Sequence, residues 1–333
     1  MTVTLWDTTG GDVVKALAVE RRAGAMVASG LALTLVVVVD EKNVAAAEEA
    51  ATVAAQAHPC RLVIVIRRQL DTADRLDAEV QVGGRLGPIE AVVMRMYGRL
   101  TLHAESVVLP LLAPDCPVLT WWHGDPPEEI ATDPLGVLAD RRVTDSSLAS
   151  DPLAALERRA KDFAPGDTDL AWTRTTPWRS LLASAFDAVT QPAVSARVEA
   201  EPGNPSAALL AGWLATRLSI HASVTDSDGP GVTAVEVTLA GDEGDDADRE
   251  EHSIAVHRPD GRLATFSRTG QPDRQLPLLR RPLGDLLAEE LRRLDDDAIY
   301  ADALERVTGI SGLGEKPPLR SHVWRDPAAA MPV

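Results

Sequence analysis

The chain has 333 residues and a formal net charge of -17, so two domains are expected and a surface that attracts a phosphate backbone is not. Its composition, 45% hydrophobic and 25% charged, fits a folded protein and excludes global disorder. Two cysteines are too few for a disulfide framework, and LALTLVVVV at 31–39 is far shorter than the roughly 20 residues of a bilayer-spanning helix.

In chain order, DTTGGDVVKALAVERR carries a capping cluster, Asp7 to Thr9, ahead of a helical stripe of Val13, Val14 and Leu17. LALTLVVVVD reads as a buried strand, and NVAAAEEAATVAAQA as an Ala-rich helix with Asn43 as its cap. His58-Pro59 stops that helix, and CRLVIVI is the next continuous apolar strand. This strand-helix-strand unit is long enough for a crossover between parallel strands. LDAEVQV and EAVVMRMYG follow as strands, HAESVVLPLLAP as a helix ending near Leu112, and PVLTWW as the last strand of the half.

The chain is then irregular, with a short Arg141-Arg142 segment and a helix opened by Asp151-Pro152, before FAPGDTDL reads as a linker. In the second half, TPWRSLLASAFDAV and NPSAALLAGWLATRLSI are helical, with a short strand at SARVEAE between them. VTAVEVTLA, HSIAVHRP and RLATFSRT alternate as strands, the last two joined by the turn Pro259-Asp260-Gly261. LGDLLAEELRRLDDDAIYADALERV forms one long or two abutting helices. These elements predict an α/β domain with a mixed sheet over 1–165, an α+β domain with an antiparallel meander over 166–312, and a flexible tail over 313–333.

No catalytic signature accompanies this pattern. Gly83-Gly84-Arg85-Leu86-Gly87 matches neither phosphate-loop spacing and reads as a turn. The acidic run GDEGDDADREEH, 241–252, lacks EF-hand spacing and reads as a solvated hairpin loop. The histidines show no metal spacing; His252 and His257 fall on opposite strand faces. The paired arginines, Arg21-Arg22, Arg67-Arg68, Arg141-Arg142, Arg158-Arg159 and Arg280-Arg281, read as solvated element ends. Cys60 and Cys116 read as free buried thiols, with a redox pair as the alternative. No cofactor and no metal are expected.

The doublet in VLTWWHGDPP stands out, since Trp121 and Trp122 on a strand face opposite ways. One indole belongs to the core; the other either covers the domain junction or meets a partner. Trp121, Trp122, His123 and Asp125 are therefore the candidate partner-binding residues.

The ordered blocks HPCRLVIVI, LDAEVQVGG, AVVMRMYG, HAESVVLPLLAPDCPVLTWWHGDPP and DPLGVLADRRVTDSS, with the late GQPDRQLPLLRRPLGDLLAEELRRLDDDAIYADAL, resemble the actinobacterial OpcA family of glucose-6-phosphate dehydrogenase assembly proteins. The resemblance runs from about residue 5 to 310 and is specific as a set. It implies a non-catalytic assembly factor and allosteric activator of glucose-6-phosphate dehydrogenase in the oxidative pentose phosphate pathway, while the charge, the cysteine count and the short apolar runs lead to the expectation of a cytoplasmic protein with no nucleic-acid or membrane partner. The competing reading is a sugar-phosphate- or nucleotide-binding enzyme or sensor working from the α/β domain, with Arg85, Arg95 or the WWHGD turn on the ligand.

Overall fold

A computed structural model describes residues 2–23, 31–83, 90–187, 189–241 and 252–317. Gly84 to Gly87, nearly all of the acidic loop and residues 318–333 of the expected tail lie outside them.

The β-branched run at 33–39 forms β2 (Leu33–Val39), and CRLVIVIR forms β3 (Cys60–Arg67), parallel to it with Leu35 opposite Leu62. The Ala-rich α2 (Val44–Ala57) connects them. Asn43 occupies its N-cap position, but the side chain makes no capping hydrogen bond. Beyond β3 come β5 (Glu90–Tyr97), parallel, then β4 (Arg75–Val82), antiparallel, with β1 (Thr2–Leu5) antiparallel at the edge. On the other side of β2 lie β6 (Val118–His123), β7 (Arg141–Thr144) and β8 (Asp167–Asp169), all parallel. The eight-stranded sheet is thus mixed, in an α/β arrangement.

Two of these strands have no apolar run to announce them. Arg141 and Arg142 of β7 are buried, as is Arg159, so the reading of these residues as solvated ends is corrected. Arg142 ion-pairs with Asp167 on the neighbouring β8, a pairing that lets polar strands sit inside. The first sheet also runs past residue 165, since β8 ends at Asp169.

Both faces of the sheet are covered. On one, α2 and α9 (Leu283–Arg292) pack over Leu35, Val37, Leu62, Ile64 and Trp121. On the other, α1 (Gly10–Ala23), α3 (Ala104–Val108) and α4 (Pro134–Val137) lie over Val36, Val63, Val92, Met94 and Trp122. The indoles are 0% and 1% exposed. The second tryptophan, expected at a junction or a partner surface, is in a second core instead, because α4 and the loop before it close over it. Gly136 permits that closure: a Cβ there would fall 1.7 Å from the Ile130 carbonyl oxygen and 3.4 Å from the Trp122 ring.

The second sheet has the order β10-β9-β11-β12-β13-β14, from β9 (Ala193–Ala200), β10 (His221–Asp226), β11 (Val232–Leu239), β12 (His252–His257), β13 (Leu263–Arg268) and β14 (Gln271–Pro277). β9 and β10 are parallel, joined by α8 (Pro205–Leu218), and β11 to β14 run antiparallel in chain order. Trp178 and Leu182 of α7 (Thr176–Phe186) and Leu210 and Leu214 of α8 cover one face, against Val198, Val235, Val237 and Ile254. A further core joins the halves: α5 (Pro152–Asp162), α6 (Leu170–Thr173), α8 and α10 (Ala298–Thr308) meet around Leu156, Trp172, Leu209, Tyr300 and Leu304. No helix among the described residues is long and apolar enough to cross a membrane.

Truncating either member of the doublet should therefore cost about 3–5 kcal/mol, the usual range for a buried tryptophan. Neither indole N–H has a hydrogen-bond partner, so Trp121→Phe and Trp122→Phe should cost clearly less than the alanine variants. Urea unfolding of the four variants measures this; an alanine variant as stable as the parent would contradict the packing.

Candidate functional site at the carboxyl edge of the first sheet

From β2 the chain passes to β3 on one side, whereas β6 and β7 extend the sheet on the other. Diverging connections of this kind leave a crevice at the carboxyl ends of the two strands, where open α/β sheets bind their ligands. Asp40 and Asn43 enter it from the end of β2, and His123, Gly124 and Asp125 from the end of β6. Gly124 has φ of 123°, a region open mainly to glycine, and turns the chain off the strand. A Cβ there would stand 3.6 Å from Asn43 Nδ2 and 3.9 Å from Asp40 Oδ2. Of the four residues singled out from sequence, Trp121 and Trp122 thus lie under the crevice, His123 is nearly buried, and Asp125 alone is exposed.

His123 stacks beside Trp121, ring centroids 4.9 Å apart and tilted 47°. Its buried Nδ1 has no hydrogen-bond partner. Burial pulls its pKa below the usual imidazole value, and the charge of Asp145 only partly opposes this. The imidazole is therefore neutral near pH 7. Asp145 is bound elsewhere: its two oxygens accept Arg174 Nη1 and Nη2 at 2.7 and 2.6 Å. Asp169 accepts hydroxyl bonds from Thr144 at 2.8 Å and Ser146 at 2.6 Å, and a backbone bond from Ala171 at 2.8 Å. Burial foremost, and then the neighbouring Asp145, push the Asp169 pKa up.

These groups anchor strand ends and helix starts rather than aim at a substrate. His123 has no carboxylate on its Nδ1 to orient it as a general base. The cavity under the Gly124-Asp125 turn is about 60 Å³, against the roughly 300 Å³ or more of sites that enclose small molecules. Among the described residues no group of three or more His, Cys, Asp or Glu side chains is placed to hold a metal ion. Arg95 is engaged by Glu79 at 2.8 Å and Glu41 at 3.6 Å, and Arg85 lies outside the described residues. Cys60 and Cys116 are both free. Cys60 opens β3 and Cys116 lies just before β6, on the other side of β2, where its thiol donates to the Leu31 carbonyl at 3.2 Å. Burial pushes the Cys60 thiol up to about 12, away from the reactive thiolate.

Behind the crevice, the two halves are tied by charges that sequence reading missed, because the partners are far apart in the chain. Arg141 Nε and Nη2 donate to Glu290 Oε2 at 3.0 and 2.6 Å, and its Nη1 to the Asp295 carbonyl at 2.8 Å. The other Glu290 oxygen accepts the Thr173 hydroxyl at 2.6 Å. Trp172 Nε1 donates to Asp297 at 2.8 Å, and the Arg179 guanidinium stacks 3.6 Å over that indole. Asp145 and Asp297 were findable only as caps, since each accepts the backbone N–H that opens a helical turn.

Two outcomes follow. Glu290→Ala leaves a buried guanidinium unpaired and should cost about 3–5 kcal/mol, whereas the double variant Arg141→Leu with Glu290→Leu should recover most of that loss; denaturant midpoints compare them. For His123, the unfolded chain takes up a proton before the fold does, so stability is lost as pH falls below about 6.5. His123→Asn should flatten that part of the pH–stability curve, and an unchanged slope would contradict a buried neutral imidazole.

Comparison with known proteins finds matches in both parts of the chain. Residues 51–161 match the model of the glucose-6-phosphate dehydrogenase subunit N-terminal domain, and residues 165–304 that of the subunit's C-terminal domain. A protein of Synechocystis sp. named as an OxPP cycle protein, OpcA, is 32% identical over 140 residues, covering 38% of this chain and 28% of that protein. The chain thus matches little more than a quarter of that relative's length. With both domains present in order over most of its length, the chain belongs to the OpcA family of glucose-6-phosphate dehydrogenase subunits.

Proposed function

We propose that the chain is a non-catalytic subunit that assembles with glucose-6-phosphate dehydrogenase and raises its activity, at the entry to the oxidative pentose phosphate pathway. The observation that carries this reading is the ordered pair of family domains over 51–161 and 165–304. The crevice at the ends of β2 and β6 supports it, because Asp145 is held by Arg174 and Asp169 by Thr144 and Ser146, and the cavity under the Gly124-Asp125 turn is small. A subunit of this kind acts by binding the active form of the enzyme more tightly than the inactive one. A tenfold difference in affinity, about 1.4 kcal/mol, moves the equilibrium between the two forms tenfold.

The contact belongs, in this reading, to the carboxyl edge of the first sheet. β1 runs in the same direction as β2 and β6, so Trp6, just past its end, shares that edge with Asp125. Trp6 is 68% exposed, and an exposed indole is the side chain most often central to an interface. The buried doublet acts from within, holding the turn that carries Asp125. Adding the purified chain to its cognate dehydrogenase should raise turnover or lower the apparent KM, and the two should co-elute on a sizing column. Trp6→Ala should weaken co-elution with an unchanged melting temperature. Unchanged kinetics together with separate elution of the parent chain would overturn the proposal.

A further inference from the structure

On the far side of Arg174 from the crevice, the junction between the two sheets holds a cavity of about 270 Å³. Four arginines line it, Arg174, Arg258, Arg280 and Arg281, against a single carboxylate, Glu201. In a chain of net charge -17 this is a local reversal of sign. Two of the four are committed: Arg174 to Asp145 at 2.6 Å, and Arg281 to Glu289. The Glu201 oxygens accept the Gly231 N–H and Asn204 Nδ2, each at 2.9 Å.

Arg258 and Arg280 are different. Arg258 is 6% exposed and lies 4.9 Å over the Trp178 ring. Its Nη1 and Nη2 donate only to carbonyls, of Leu278 at 3.1 Å and Val232 at 2.8 Å, and its buried Nε has no partner. Arg280 is exposed at the rim, with no ion pair among the described residues. Neither guanidinium ion-pairs with a carboxylate among the described residues, although Glu201 lines the same cavity and the charge of Asp260 acts on Arg258. Burial, and then the charge of Arg280, lower the Arg258 pKa to about 10, consistent with repulsion between the two arginines. The N-terminal end of α8, capped by Asn204 and carrying Ser206, opens on the same cavity and adds its partial positive charge.

We propose that this cavity binds a small phosphate monoester of a sugar or polyol, its phosphoryl oxygens on Arg258 and Arg280 and its hydroxyls on Glu201, Asn204 and Ser206. Guanidinium forks match phosphoryl oxygens in charge and geometry. One carboxylate, one amide and one hydroxyl suit hydroxyl groups rather than a second phosphate. The volume is near the lower end for small-molecule sites and excludes a dinucleotide.

The test is calorimetric titration of the full chain, without any dehydrogenase present, so that it is independent of the assembly role. The probes are inorganic phosphate, glycerol phosphate, a hexose phosphate, the unphosphorylated hexose, and ATP. The sugar phosphate should bind more tightly than inorganic phosphate, and the bare hexose should give no heat. Arg280→Gln, at an exposed position, should weaken binding about tenfold or more at an unchanged melting temperature. Absence of heat with every phosphate ester, ATP binding tighter than the hexose phosphate, or equal binding by Arg280→Gln would each overturn the proposal.

Discussion

The interaction on which this architecture turns is the buried ion pair between Arg141 and Glu290. Both side chains are almost wholly out of water, and the guanidinium from the first part of the chain is satisfied by groups from the second. The guanidinium needs Glu290 and the Asp295 carbonyl; the carboxylate needs Arg141 and Thr173. Such a pair adds little net stability compared with apolar residues of the same shape, yet a fold that leaves one member unpaired is heavily penalised. Its consequence here is specificity: β7 can be buried in the first sheet only with α9 docked beside it.

That docking makes the two family domains structurally interdependent. α9, from the second half of the chain, contributes Leu286, Leu287 and Leu291 to the core beneath Trp121, and Gly284 lies so close that a Cβ would stand 2.6 Å from Val53 Cβ on α2. α10 packs with α5, α6 and α8 around Tyr300. From this junction Asp145 and Arg174 lead outward, one toward the carboxyl edge of the first sheet and the other to the arginine-lined cavity. The Asp145–Arg174 pair thus joins the two sides.

The residues made some of this legible and hid the rest for physical reasons. LTLVVVV and CRLVIVI spelled out buried parallel strands, because a sheet covered on both faces needs apolar side chains at every position. Asn204-Pro205 and Asp151-Pro152 marked helix starts that the structure places there, each cap accepting a backbone N–H. β7 and β8 were illegible: Arg-Arg and Asp-Thr-Asp look solvated until their partners are known, and those partners are up to 154 residues away. β14, QPDRQLP, is an exposed edge strand with no apolar face to reveal it. The tryptophan doublet was legible as a strand with two faces. What covers Trp122 was not, because the close approach of Gly136 leaves no pattern in composition.

In the proposed role the chain would act through the surface it presents, and a surface keeps its shape only if the body behind it is rigid. The central claim is therefore that β7, α9 and the inner strands of the first sheet open together. Native-state hydrogen exchange on the isolated chain tests it directly. Backbone amides of α9 should exchange with the same free energy and the same denaturant dependence as those of β2 and β3. Exchange of α9 through a separate, lower-energy opening that leaves β2 and β3 protected would contradict it.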